Sequence, residues 1–147
     1  MNLPKQSFLA LAAIGWADGA LERGEATGLL RAAQEAGLSG EDFAEVERAV
    51  TTKTTLDDID VSSLPPWDQV LTYALAAWLA QLDGIVSESE KGPLNSLGDR
   101  LGLAAPLRLR AAAAANDIAC LPGGGKPERY DFQKLAARLR ERLPQVK

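Results

Sequence analysis

The chain has 147 residues, of which 46% are hydrophobic and 5% aromatic, and its formal net charge is −4. This length and composition predict one globular domain dominated by the helix formers Ala and Leu, with no general affinity for nucleic acid. The complete lack of histidine excludes Ser-His-Asp and Cys-His catalysis and His-liganded zinc.

The charge is unevenly spread along the chain. Residues 1–99 carry 16 acidic and 6 basic residues, whereas residues 100–147 carry 4 acidic and 10 basic residues. The simplest explanation is that the two regions attract each other in the fold, and a basic binding face is the alternative. The single cysteine, Cys120, cannot form an internal disulfide, which fits a reducing compartment, and we expect it to be a small core residue.

Two apolar stretches bear on location. Residues 8–16 resemble the apolar part of a signal peptide, but residues 73–82 are similarly apolar and lie in the middle of the chain. No apolar run approaches the roughly 20 residues that span a bilayer. We therefore interpret both stretches as core helices and predict a cytoplasmic protein without a membrane span.

The hydrophobic pattern predicts three helices in the first part of the chain. The first covers about residues 4–16, and the second covers about residues 23–36 and is closed by Gly37. The third begins after Ser39, whose side chain is expected to cap it. A polar connection over residues 51–64 follows, in which three aspartates are expected to face water.

The second part of the chain predicts four more helices. The most hydrophobic covers about residues 67–82, the next opens with SESE at residues 87–90, and an alanine-rich helix covers residues 106–119. After a glycine-rich loop, Asp131 is expected to cap a last helix that carries several basic residues: Lys134, Arg138, Arg140 and Arg142. No segment alternates with a period of two, so the sequence predicts an all-α fold, a compact bundle of about seven helices.

One stretch of the sequence occurs twice. When residues 17–39 are aligned with residues 82–104, an interval of 65 positions, six of the 23 positions are identical. About one or two identities are expected by chance. The shared pattern is an apolar helix, an Asp-Gly turn, a second helix and a glycine stop, which indicates an internal duplication of a helical hairpin. We predict a single domain over 1–147, with repeat one at about 4–50, repeat two at about 66–120 and a C-terminal helix at about 131–143.

The repeated segments WADGALERGE, at residues 16–25, and QLDGIVSESE, at residues 81–90, resemble the TerB family of tellurite-resistance proteins and the related N-terminal domain of the DjlA co-chaperones. The resemblance covers roughly residues 5–120. It implies a compact all-α TerB-like domain with a role in tellurite resistance or stress response. It also implies metal binding by acidic residues and contacts with other stress-response proteins.

Four acidic residues stand at matching places in the two repeats: Asp18, Glu25, Asp83 and Glu90. In one interpretation each carboxylate only fixes its own turn, since Asp-Gly is a common turn sequence and Asp or Glu complements a helix start. In the other, the four converge on a hard cation such as Ca²⁺ or Mg²⁺, which prefers oxygen ligands. An antiparallel crossing of the two apolar helices would separate the turns and leave one small site per hairpin.

Three hypotheses for function follow. The first is a non-enzymatic binding or scaffold module of the TerB-like type, because no catalytic constellation is evident. The second is a metal-dependent hydrolase that uses the same four carboxylates. The third is a contact with nucleic acid or an acidic protein through the basic C-terminal helix.

Overall fold

The computed structural model describes residues 3–17, 23–80, 88–122, 130–144 and 146. These residues form seven α-helices and one 3₁₀ turn, and none of them lies in a β-strand. The α-helices are α1 (Lys5–Ala17), α2 (Arg23–Glu35), α3 (Gly40–Thr51), α4 (Pro66–Ala80), α5 (Glu88–Leu101), α6 (Ala105–Ala119) and α7 (Phe132–Arg142). The 3₁₀ turn, Leu56–Asp58, lies between α3 and α4. The predicted all-α bundle is confirmed.

The two most apolar helices, α1 and α4, pack against each other in the core. Every residue of α4 from Val70 to Leu79 is buried. A hydrogen bond of 2.9 Å between the hydroxyls of Thr72 and Ser7, both fully buried, joins the two helices. The sequence-based prediction that these helices form the centre of the bundle is confirmed.

The remaining helices surround this central pair. Helix α3 packs on α1 and α6 packs on α4, while α2 and α5 each contact both central helices and α7 covers α6. One cluster of buried hydrophobic side chains includes residues from all seven helices. Burial of this apolar surface is the main force that holds the bundle together.

The interval of 65 residues recurs in the structure. Helix α2 begins at residue 23 and α5 at residue 88, and α3 begins at residue 40 and α6 at residue 105. Gly37 and Gly102, also 65 positions apart, end α2 and α5 with positive φ angles of 89° and 71°. These correspondences support the interpretation of two repeats, and their common origin stays a prediction.

The two glycine turns also share their hydrogen bonds. The N–H groups of Gly37 and Leu38 donate to the carbonyls of Gln34 and Ala33 at 3.0 and 3.1 Å. Gly102 and Leu103 repeat the pattern, with N–H groups that donate to the carbonyls of Asp99 and Gly98 at 3.1 Å each. This is the paired bonding of a Schellman helix end, which requires the left-handed backbone that glycine adopts without strain.

Two expectations from the sequence are wrong. Ser39 is the residue before α3, but its side chain makes no capping hydrogen bond. Cys120 is exposed rather than buried. It lies at the end of α6, off the stripe of Ala111, Ala114, Ala115 and Ile118 that faces the core, so the helix geometry turns it to solvent.

Candidate functional site

The first acidic hairpin is formed by the end of α1 and the start of α2. Helix α1 ends at Ala17 and α2 begins at Arg23, with Glu25 in its first turn. Glu25 is half-buried, at a helix start where the unpaired backbone N–H groups favour a carboxylate. Asp18 lies outside the described residues, so its predicted pairing with Glu25 stays a prediction.

The second acidic hairpin has the same helical frame. Helix α5 begins at Glu88, so Glu90 lies in its first turn, at the position that Glu25 occupies in α2. Asp83 and the Glu90 side chain lie outside the described part of the molecule. Among the residues that are described, no three or more acidic or cysteine side chains cluster closely enough to hold a metal ion. Convergence of the four carboxylates therefore stays a prediction.

The basic residues of α7 are largely engaged by neighbouring side chains. Asp117 on α6 accepts a hydrogen bond from Arg142 at 2.5 Å and lies 3.9 Å from the Arg138 guanidinium. The Arg140 guanidinium lies over the Trp67 ring, 4.1 Å from its centroid. These contacts place most of the basic charge of α7 against the bundle.

An aromatic cluster, which consists of Trp78, Tyr130 and Phe132, joins the start of α7 to the core. The Trp78 and Tyr130 rings stack with centroids 4.3 Å apart, and Phe132 meets Trp78 edge-on at 5.1 Å. The Tyr130 hydroxyl donates to the carbonyl of Ala115 at 3.0 Å. Burial, together with the charge of Asp131, holds the pKa of Tyr130 far above its usual value.

A cation completes this cluster. The Arg31 guanidinium lies over the Phe132 ring, 5.0 Å from its centroid, and donates to the carbonyl of Tyr130. Cation–π contacts of this kind contribute about 0.5–1 kcal/mol at exposed sites and more when desolvated. The sequence predicted Phe132 on the apolar face of the last helix but not the participation of Tyr130 or Arg31. Their sequence separation of 99 residues hides the contact from any local pattern.

A cavity of about 270 Å³ opens on the opposite side of the central pair. Its walls are the C-terminal half of α1, the segment that follows α3, and the last two turns of α5. Ala13 and Ile14 form part of its apolar floor, and Lys53, Asp57 and Arg100 lie on its rim. Arg100 and Asp57 form an ion pair there. The sequence gave no indication of this cavity, because its walls come from three separate segments.

Comparison with known proteins leaves the assignment to the molecule itself. No family model matches the chain, and neither do any curated proteins or solved structures. Within the described ranges, every helix is too short or too polar to cross a bilayer. Fold and surfaces therefore define the class, an all-α helical bundle with two hairpins of the same frame.

Proposed function

We propose that this chain is a TerB-like binding or scaffold module of a stress-response system, and that its acidic hairpins bind divalent cations. The observation that carries the proposal is the shared frame of the two hairpins. Helices α2 and α5 start 65 residues apart, each with a glutamate in the first turn, and end in turns with the same hydrogen bonds. The family resemblance of the Asp-Gly segments supplies the functional class.

The physical chemistry of the helix ends supports a cation at each hairpin. The C-terminal end of an α-helix carries partial negative charge, and the sequence places Asp18 and Asp83 directly after or close to the ends of α1 and α4. A bound Ca²⁺ or Mg²⁺ would offset this repulsion and link the aspartate to the glutamate that opens the next helix. The cation would then hold the angle between the two helices of the hairpin.

The central helix contact limits how the carboxylates can be shared. Helix α1 ends at Ala17, ten residues beyond Ser7, and α4 ends at Ala80, eight residues beyond Thr72. At 1.5 Å per residue these ends lie about 12–15 Å from the Ser7–Thr72 contact. One shared site therefore needs α1 and α4 to run nearly parallel, whereas a large crossing angle separates the turns and favours one cation per hairpin.

Calorimetric titration of the whole chain with CaCl₂ and MgCl₂ tests the proposal. We expect saturable binding that is lost in the D18N/D83N double variant, with one ion per chain for a shared site and two for separate sites. Glu41→Gln is the matched control, because Glu41 also lies in the first turn of a helix, α3, and is exposed. Unchanged titrations in D18N/D83N would refute metal binding and leave the carboxylates as turn-forming residues.

The two other hypotheses make different demands. A metal-dependent hydrolase would show turnover that disappears in the same D18N/D83N variant, and such turnover would overturn the non-enzymatic proposal. A nucleic-acid contact through α7 would require Arg138, Arg140 and Arg142 to exchange their present partners for phosphates. The existing contacts to Asp117 and Trp67 argue against that exchange.

A further inference from the structure

The cavity beside α1 combines an apolar floor with a charged rim. The buried side chains Ala13 and Ile14 and the half-buried Leu56 provide the floor. The rim carries two cations, Lys53 and Arg100, and one carboxylate, Asp57. This division of surface is typical of sites that bind a small amphipathic molecule, with an apolar body inside and a charged group at the mouth.

The cations on the rim are available to a ligand. Lys53 forms no ion pair with any described residue. Arg100 is paired with Asp57, whose side chain is 81% exposed. Exposed ion pairs contribute about 0–1 kcal/mol, so a ligand carboxylate can replace Asp57 at low cost. The charge balance among these three side chains therefore favours an anion.

The other half of the molecule indicates the shape of the ligand. The positions 65 residues from Ala13 and Ser96, both of which line the cavity, are Trp78 and Arg31. Both of these counterparts contact Phe132, by an edge-on ring contact at 5.1 Å and by a cation over the ring at 5.0 Å. In that half, aromatic rings from the start of α7 occupy the space between the two helices. In the first half, the small Ala13 replaces the large Trp78 and the space is open.

We propose that this cavity binds a small aromatic carboxylate. The ring lies against Ala13, Ile14 and Leu56, as Phe132 lies against Trp78 in the other half, and the carboxylate lies between Lys53 and Arg100. A volume of about 270 Å³ fits a single-ring molecule and is too small for a nucleotide or a peptide helix. This site is separate from the acidic hairpins and does not depend on metal binding there.

Titration of the ¹⁵N-labelled whole chain with 3-phenylpropionate, followed by NMR, tests the proposal. We expect saturable shifts at Ala13, Thr55, Leu56 and Ser96, whose amides surround the cavity. The neutral analogue 3-phenylpropionamide should bind at least about tenfold more weakly, because it lacks the charge-assisted hydrogen bonds. Equal affinity for the two compounds, shifts centred on the aromatic cluster, or no saturation up to about 10 mM would overturn the proposal.

Three variants separate ligand binding from structural effects. Arg100→Gln should weaken 3-phenylpropionate about tenfold or more, whereas Arg110→Gln, at an exposed arginine of α6 outside the cavity, should leave it unchanged. Asp57→Asn should bind more tightly than the original chain, because it removes the carboxylate that competes for Arg100. Weaker binding by D57N, or equal loss in R100Q and R110Q, would contradict the assignment.

Discussion

At the scale of single residues, Tyr130 has the most unusual environment. Its ring stacks on Trp78, its hydroxyl donates to Ala115, and burial raises its pKa well beyond the ordinary value of 10.0. In the unfolded chain the phenol ionises near that ordinary value, while in the folded chain it keeps its proton. Since the folded state then binds more protons, the free energy of unfolding must fall as the pH rises above about 10.

This linkage predicts the effect of Tyr130→Phe at alkaline pH. Each tyrosine of this kind makes the free energy of unfolding fall by about 1.4 kcal/mol per pH unit above its unfolded pKa. Urea unfolding at pH 9, 10 and 11 should therefore show a smaller loss in Y130F than in the original chain. Burial also raises the pKa of Tyr73, so Tyr73→Phe is a comparison that should remove its own share. Identical slopes in Y130F and the original chain would contradict the linkage.

At the scale of an element, α5 owes its C-terminal end to a packed arginine. The Arg108 side chain donates to the carbonyl of Leu103 and to the Asp99 carboxylate, each at 2.8 Å. Its guanidinium lies directly over Gly98, where an added Cβ would approach the Arg108 Nε to 2.7 Å. Glycine is needed at this position for the close approach of a side chain rather than for an unusual backbone angle.

A pair of glycine substitutions in α5 tests this arrangement. Gly92 is exposed and an added Cβ would meet nothing within 4 Å, so Gly92→Ala should stabilise the protein by about 0.5–1 kcal/mol through helix propensity. Gly98→Ala gains the same propensity but displaces Arg108 and loses its hydrogen bonds, each worth about 0.5–1.5 kcal/mol. We expect it to be clearly less stable than G92A in thermal unfolding. Equal stability of the two variants would show that Arg108 moves aside without loss.

At the scale of the whole molecule, the two halves depend on each other for burial. Helix α1 is enclosed by α2, α3, α4 and α5, so removal of the second half would expose the surface that α4 and α5 now cover. The hydroxyl of Ser7 would also lose its partner Thr72. The folded state of either half alone therefore lacks a large part of the apolar burial that stabilises it.

This interdependence predicts that residues 1–64 do not fold by themselves. Expressed alone, this fragment should show weak helical circular dichroism and no cooperative thermal transition. The whole chain, measured under the same conditions, should show one cooperative transition. A cooperative transition in the isolated fragment would demonstrate that α1, α2 and α3 form an independent unit.

The extent to which the sequence predicts this molecule depends on the range of the interactions. Helix positions followed from local patterns: Gly37 and Gly102 ended helices as expected, and Asp131 caps α7 by accepting a hydrogen bond from the Lys134 N–H at 3.0 Å. The cation over Phe132 and the open cavity could not be predicted, because their walls come from distant segments. For the candidate site, the sequence located the hairpin frame, whereas the convergence of its carboxylates depends on the crossing of α1 and α4.

The buried hydrogen bond between Ser7 and Thr72 joins two positions that the repeat interval makes counterparts of each other. Such a contact has the isologous form found where two identical subunits meet across a twofold axis. A group at that position has to be complementary to its own copy, and a hydroxyl satisfies this because it both donates and accepts. A carboxylate or an ammonium group would instead meet its own charge. The centre of this single chain therefore follows the composition rule of a symmetric dimer interface.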